Sequence, residues 1–225
     1  MRLTSFGHSC LLVEVADLRV LLDPGTFSSG FEQLRDLDAV LVTHQHPDHC
    51  DPDRFAPLVE ANPGARVLLE TQTADQLRDG GLRRDVETLT SGTDVTLESR
   101  GSALTVSPVG QRHAIIHADI PRIDNTGVVL RADGEPSFFH PGDALDAEPG
   151  DVDLLGVPLN APWCAMKETI EFVRRIGAPR FVPIHDGLLA ENGRELYLRQ
   201  VTNLSGEVID GLSVLDLADR KPAQA

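Results

Sequence analysis

The sequence predicts one α+β domain over residues 1–218, a four-layer αββα sandwich with two related halves, followed by a flexible tail at 219–225. Three observations lead to this expectation. Short apolar runs separated by turn dipeptides fill the first and middle thirds, and strand-like runs outnumber helical ones. Each run apolar on both faces has a helical neighbour to cover it. With 225 residues, 41% hydrophobic and 24% charged, the chain lies in the globular range and carries no low-complexity tract or internal linker. At about 150 residues per domain a single larger domain is expected.

The elements follow in order. Leu3–Phe6, Leu11–Val15 and Val20–Leu22 are short, apolar and separated by turns, which predicts a meander. Ala39–Thr43 is continuously apolar, as expected of a strand buried on both faces. A helix is predicted over Asp53–Ala61, with Asp51 as a cap, Pro52 in the first turn and Phe55, Leu58 and Val59 on one face. Arg66–Glu70 reads as a strand and Thr73–Arg78 as a helix. Strands are expected near Asp94–Glu98, Ala103–Val109, Gly127–Arg131 and Pro136–Phe139. The last third alternates: strand Val152–Val157, helix Ala165–Ile176, strand Phe181–Ile184 and a short helix around Glu195–Val201. An internal echo hints at the two halves. Leu21–Gly25 reads L-L-D-P-G against F-F-H-P-G at Phe138–Gly142, and L-V-T-H at 41–44 parallels V-P-I-H at 182–185.

Charge and cysteine content exclude several classes. Thirty-five Asp and Glu face 20 Lys and Arg, a formal charge of −15. This balance opposes a non-specific grip on nucleic acid, so no nucleic-acid partner is expected. No apolar run approaches ~18 residues, so no membrane helix is expected. Cys10, Cys50 and Cys164 are odd in number and form no C-x-x-C pair. The opening residues M-R-L-T-S-F-G-H-S-C lack a secretory apolar region. Together these features predict reduced thiols and a cytoplasmic location.

The informative stretch is T-H-Q-H-P-D-H-C-D at Thr43–Asp51. His44 and His46 are two apart at the end of a buried strand, where alternate side chains point the same way and both imidazoles can face one ion. Pro47 then forces a turn, from which Asp48 and His49 emerge toward a neighbouring point. One segment can thereby supply ligands to two adjacent sites, and imidazole with carboxylate suits a borderline-soft ion such as Zn²⁺. Further candidates lie at strand ends. Asp143 follows P-S-F-F-H-P-G, where a carboxylate can bridge two cations; His185 ends F-V-P-I-H; His113 follows L-T-V-S-P-V-G-Q-R. Cys50 adjoins the run but, one residue after His49, is expected to point away.

This series, H-x-H-x-D-H, a later His, G-D and a terminal His, resembles the metallo-β-lactamase-fold hydrolase superfamily. The resemblance runs from G-H-S-C at Gly7–Cys10 to P-I-H-D at Pro183–Asp186. Within it, G-H-S-C-L-L-V-E and H-P-G-D look most like the intracellular ascorbate-6-phosphate-lactonase-like branch. The resemblance implies that His44, His46 and His113 hold a first metal ion, that Asp48, His49 and His185 hold a second, and that Asp143 bridges them. Asp23 would support the site by hydrogen bonds without ligating. Two divalent ions are implied, zinc with manganese or iron as alternatives.

The implied mechanism is hydrolysis of an ester, lactone or related bond in a small intracellular metabolite. A hydroxide bridging the two metals attacks, and Asp48 both ligates and orients it. The loaded site would carry about one net positive charge, which suits an anionic substrate. His117, four residues after His113, is the alternative third ligand of the first site, or a contact to substrate; His113 is preferred because it directly follows a strand. His8 and His140 read as buried partners near the site, and Arg122 as a clamp for a carboxylate or phosphate. The branch resembled often assembles, so a homo-oligomer is an open expectation. Two other readings remain: a non-catalytic or regulatory metal-binding protein on the same fold, and a phosphodiesterase or nuclease.

Overall fold

The structure, a computed structural model, describes residues 1–99 and 101–225. Its first sheet contains β1 (Arg2–Gly7), β2 (Cys10–Val15), β3 (Leu18–Leu22), β4 (Ala39–Val42), β5 (Arg66–Leu69) and β6 (Glu87–Thr88). The second contains β7 (Val95–Ser99), β8 (Ser102–Val109), β9 (Gly127–Arg131), β10 (Phe138–His140), β11 (Leu154–Pro158), β12 (Arg180–Ile184) and β13 (Ser213–Val214). The last strand, β14 (Ala223–Gln224), returns to the first sheet. Strand order is β14-β1-β2-β3-β4-β5-β6 in one sheet and β13-β12-β11-β10-β9-β8-β7 in the other.

Both sheets follow one plan. An antiparallel meander changes to parallel pairing, at β3–β4 in the first sheet and at β10–β11 in the second. The L-L-D-P-G and F-F-H-P-G echo therefore sits at equivalent places, since β3 and β10 are the switch strands. The second echo does not match by topology, because β4 is the first parallel strand of its half and β12 the second.

Period-two alternation produces the layers. Leu11 and Val13 of β2, Ala39 and Leu41 of β4, Val128 and Leu130 of β9, Phe138 of β10 and Ile184 of β12 enter the core between the sheets. Their neighbours face outward. Leu12, Val40 and Val42 meet α1 (Phe55–Glu60) and α2 (Thr71–Asp79). Val129, Phe139 and Phe181 meet α3 (Met166–Ile176) and α4 (Glu191–Gly206). Each wholly buried Leu or Phe contributes about 1.5–3 kcal/mol by leaving water, so a strand apolar on both faces is held by burial against the other sheet and against the helices.

Besides the two-residue strands β6 and β13, which no sequence pattern announces, three elements differ from expectation. Helix α4 spans 16 residues rather than a short segment; Gly193 interrupts its apolar pattern, and only Val201 and Ser205 are buried, so its periodicity is faint. Helix α1 begins at Phe55, and Asp51 accepts the amides of Asp53 (2.9 Å) and Arg54 (2.7 Å) in the turn before it. Part of the segment expected as a flexible tail, Ala223–Gln224, pairs antiparallel with Arg2–Leu3. Among the described residues, no helix is long and apolar enough to cross a membrane.

Candidate metal centre

Strand ends position the chemistry. His44 follows β4, Asp143 follows β10, His185 follows β12, and His113 follows β8 after a short link. Their ligand atoms, with those of their neighbours, form two groups. One is His44, His46, His113 and Asp143; the other is His8, Asp48, His49 and His185. Within each group the atoms lie within 4.8 Å of one another. Asp143 faces both groups: Oδ2 is 3.4 Å from His113 Nε2 and 3.1 Å from His185 Nε2, and Oδ1 is 3.0 Å from His49 Nε2.

Hydrogen bonds decide which nitrogen of each ring faces inward. His113 Nδ1 donates to the carbonyl of Ala114 and His185 Nδ1 to that of Asn160, each at 2.6 Å. His49 Nδ1 donates to Asp23 Oδ2 at 2.7 Å. Thr43 Oγ1 gives its proton to Asp23 Oδ2 (2.7 Å), so it can only accept from His44 Nδ1, 3.1 Å away. In all four rings Nδ1 keeps a proton and Nε2 is turned toward Asp143, its lone pair open to a proton or to an ion. Among the described residues, buried His44 Nε2, His49 Nε2, His113 Nε2 and Asp143 Oδ1 find no hydrogen-bond partner. Buried polar atoms are nearly always paired, and converging imidazole and carboxylate lone pairs form the donor set that a divalent cation accepts. The residues fit such an ion.

Charge is arranged accordingly. Burial, together with the neighbouring His49 ring, pushes His44 well below the usual imidazole range and keeps it neutral. Burial also acts downward on His49, but the Asp143 and Asp23 carboxylates outweigh it and hold His49 well above that range. A proton on His49 and a divalent ion thus compete for the same lone pairs. Burial pushes the Asp48 carboxyl up, but its bond to His8 and the His49 ring prevail and bring it down to about 2.

Asp23 joins the halves of this segment. Wholly buried, it accepts from Thr43 N, Thr43 Oγ1 and His49 Nδ1, with φ of 46° in the left-handed region. Gly142 also has positive φ (62°), and a Cβ there would lie 2.2 Å from Asn125 Oδ1. Only glycine lets Asn125 reach the amide of Asp143, at 2.9 Å.

His113 enters the first group and His117 enters neither. His113 lies at the base of a loop closed by His113 N–H to Ile123 O (3.0 Å) and Ala114 N–H to Asp143 O (2.8 Å). Four residues on, the His117 side chain is 65% exposed, and its Nδ1 accepts the amide of Asp119 and lies 3.5 Å from the Asp119 carboxylate. His113→Ala should therefore lower bound metal while His117→Ala leaves it unchanged, as read by elemental analysis; the reverse result would reassign the ligand. Arg122, expected to clamp an anion, donates from Nε to the His113 carbonyl and lies 3.6 Å from Asp146. It braces the loop.

One contact escapes sequence reasoning. Trp163 Nε1 donates to Asp143 Oδ2 at 3.0 Å; a lone Trp after A-P has no readable motif. His8 joins the second group, yet its Nδ1 accepts the amide of Gly187 (3.2 Å), so its proton is on Nε2 and points at Asp48 Oδ2, also 3.2 Å away. It holds Asp48 and offers no free lone pair. His140 is satisfied by Ser9 O and Gly142 N. Cys50 is buried in the outer core with α1, its thiol pushed up by burial.

Residues 2–185 match the β-lactamase superfamily domain family. The chain is 42% identical over 206 residues to Protein Rv0786c of Mycobacterium tuberculosis, covering 91% of this chain and 93% of the relative. It is 30% identical over 213 residues to a UPF0173 metal-dependent hydrolase of Methylobacterium nodulans, covering 83% and 85%. A metallo hydrolase from the archaeon Ignicoccus hospitalis shares the fold, with a TM-score of 0.73 at 19% identity over 100% of this chain and 97% of that one. The chain belongs to the β-lactamase superfamily domain family, with the UPF0173 metal-dependent hydrolases, and is a metal-dependent hydrolase of the metallo-β-lactamase fold.

Proposed function

We propose that the protein is a dinuclear hydrolase of an ester, lactone or related bond in a small molecule. The observation that carries this reading is the position of Asp143, within 3.4 Å of histidine Nε2 atoms from both groups, with buried lone pairs converging around it. His44, His46 and His113 would hold one ion, Asp48, His49 and His185 the other, and Asp143 both. When bound, two divalent ions supply a water acidified to near-neutral pH and stabilise negative charge developing on the substrate.

The chain's own residues do the rest. Asp23, Ala114 O and Asn160 O hold the His49, His113 and His185 rings in the tautomer that presents Nε2. Trp163 holds one oxygen of Asp143. His8 fixes Asp48, which faces the same space as His185 at 3.7 Å and is placed to accept a hydrogen bond from an attacking water and orient it. Zinc suits this nitrogen-rich set, with manganese or iron as alternatives. The short G-H-S-C and H-P-G-D motifs support a place near the ascorbate-6-phosphate-lactonase-like branch.

The formal charge of −15 supports a small-molecule partner rather than nucleic acid, with any anionic group of the substrate held at the metals themselves. The cysteine pattern supports a cytoplasmic setting without a membrane partner, and a homo-oligomer is part of the same reading. Protein purified without chelator should contain about two divalent ions per chain. With zinc or manganese loaded, it should hydrolyse at least one member of a lactone, thioester, carboxylic ester and phosphodiester panel. A reproducible metal content of zero would remove the reading.

A further inference from the structure

A cleft of about 460 Å³ opens beside Trp163. Its apolar lining includes Ile115, Leu145 and Trp163, and its charged lining is Arg122, Asp146 and Glu168. The cleft adjoins the metal centre on three sides in sequence. Trp163 is hydrogen-bonded to Asp143, Leu145 is two residues beyond Asp143, and Ile115 is two beyond His113. The Trp163 ring centre lies 5.9 Å from that of His113 and 6.1 Å from that of His185.

The lining is unsuited to an anion. One cation faces two carboxylates, for a net charge of −1. Arg122 is already engaged by the His113 carbonyl and Asp146, and Glu168 accepts the Ala165 amide at 2.8 Å. What remains is apolar surface turned to solvent. Ile115 is 64% exposed and Ile120, on the same loop, 47% exposed. Large aliphatic side chains at the mouth of a catalytic centre gain by covering an apolar group.

We propose that this cleft binds an uncharged apolar substituent of the substrate, so that the enzyme acts on esters carrying a hydrophobic chain. The substrate reading rests on the dinuclear hydrolase proposed above. Charge belongs at the metals and hydrocarbon belongs against Trp163, Leu145 and Ile115. Each methylene removed from water contributes up to about fourfold in binding.

Two experiments test this with different readouts. Trp163 is the only tryptophan, so its emission reports the cleft directly. Titration with n-hexanol should change that emission saturably, and Ile115→Asp should weaken the midpoint at least about fourfold with metal content unchanged. No saturable change, or the same midpoint in the variant, overturns the proposal. Separately, kcat/KM of the zinc-loaded enzyme should rise at least about tenfold along p-nitrophenyl acetate, butyrate and hexanoate, or along methyl, butyl and hexyl acetate. Hydrolysis with both series flat overturns the substrate assignment and leaves the hydrolase reading intact. Hexanol binding without hydrolysis of these esters or of the lactone, thioester and phosphodiester panel supports the apolar cleft and defeats the proposed ester-or-lactone substrate class.

Discussion

Asp143→Asn is expected to lower metal content and hydrolysis together. The substitution preserves shape, and Trp163 can still donate to the remaining carbonyl oxygen, so circular dichroism should show the native fold. What disappears is the negative charge among the His49, His113 and His185 nitrogens, all within 3.4 Å. Partners outside the ligand set typically cost about 10–100-fold in affinity or activity when mutated; on the proposed dinuclear reading Asp143 is a ligand shared by two ions and should exceed that, with at least ~100-fold loss of kcat/KM. Elemental analysis should find less than half of the wild-type metal. Full metal occupancy with full activity would remove Asp143 from the centre.

The second large effect falls on stability. Asp23→Ala removes the acceptor for Thr43 N, Thr43 Oγ1 and His49 Nδ1, all at 2.7–2.8 Å around a wholly buried carboxylate. Donors left unpaired inside the protein, with the charge on His49 uncompensated on that side, should cost about 3–5 kcal/mol. That is a large share of the 5–15 kcal/mol typical of a folded chain, and it corresponds to roughly 6–20 °C in melting temperature for a chain of this size. Asp23→Asn should be milder for folding, because Asn tolerates the left-handed backbone and keeps one acceptor. Its metal affinity should still fall about 10–100-fold, since the His49 ring loses its anionic partner. An unchanged melting temperature in Asp23→Ala, by calorimetry, would show that Asp23 is dispensable.

Much of this architecture is legible because it depends on local pattern. The pleat sends alternate residues of Leu11–Val15 to opposite faces, and the continuous apolar runs Ala39–Val42 and Val128–Leu130 follow from burial on both faces. The strands β6, β13 and β14 have two residues each, too few for any period to appear. Helix α4 is long but packs few side chains inward, so its apolar signal is weak.

The site divides in the same way. His44, His46, Asp48 and His49 stand within six residues, and their types and spacing carry the chemistry. The choice between His113 and His117 is not local: it depends on Ala114 bonding to Asp143 and on His113 bonding to Ile123. Trp163 meets Asp143 only because the turn between β11 and α3 lies over the end of β10.

The sequence by itself determined the strand pattern, the metal-binding residue types and their order along the chain, because these arise from side-chain chemistry and short-range geometry. Tertiary structure alone decided which nitrogen each histidine presents. His8 became a hydrogen-bond donor to Asp48, and not a ligand, through a glycine amide 179 residues away. Tautomer, charge and direction depend on partners that only folding brings together, and spacing along the chain carries no trace of them.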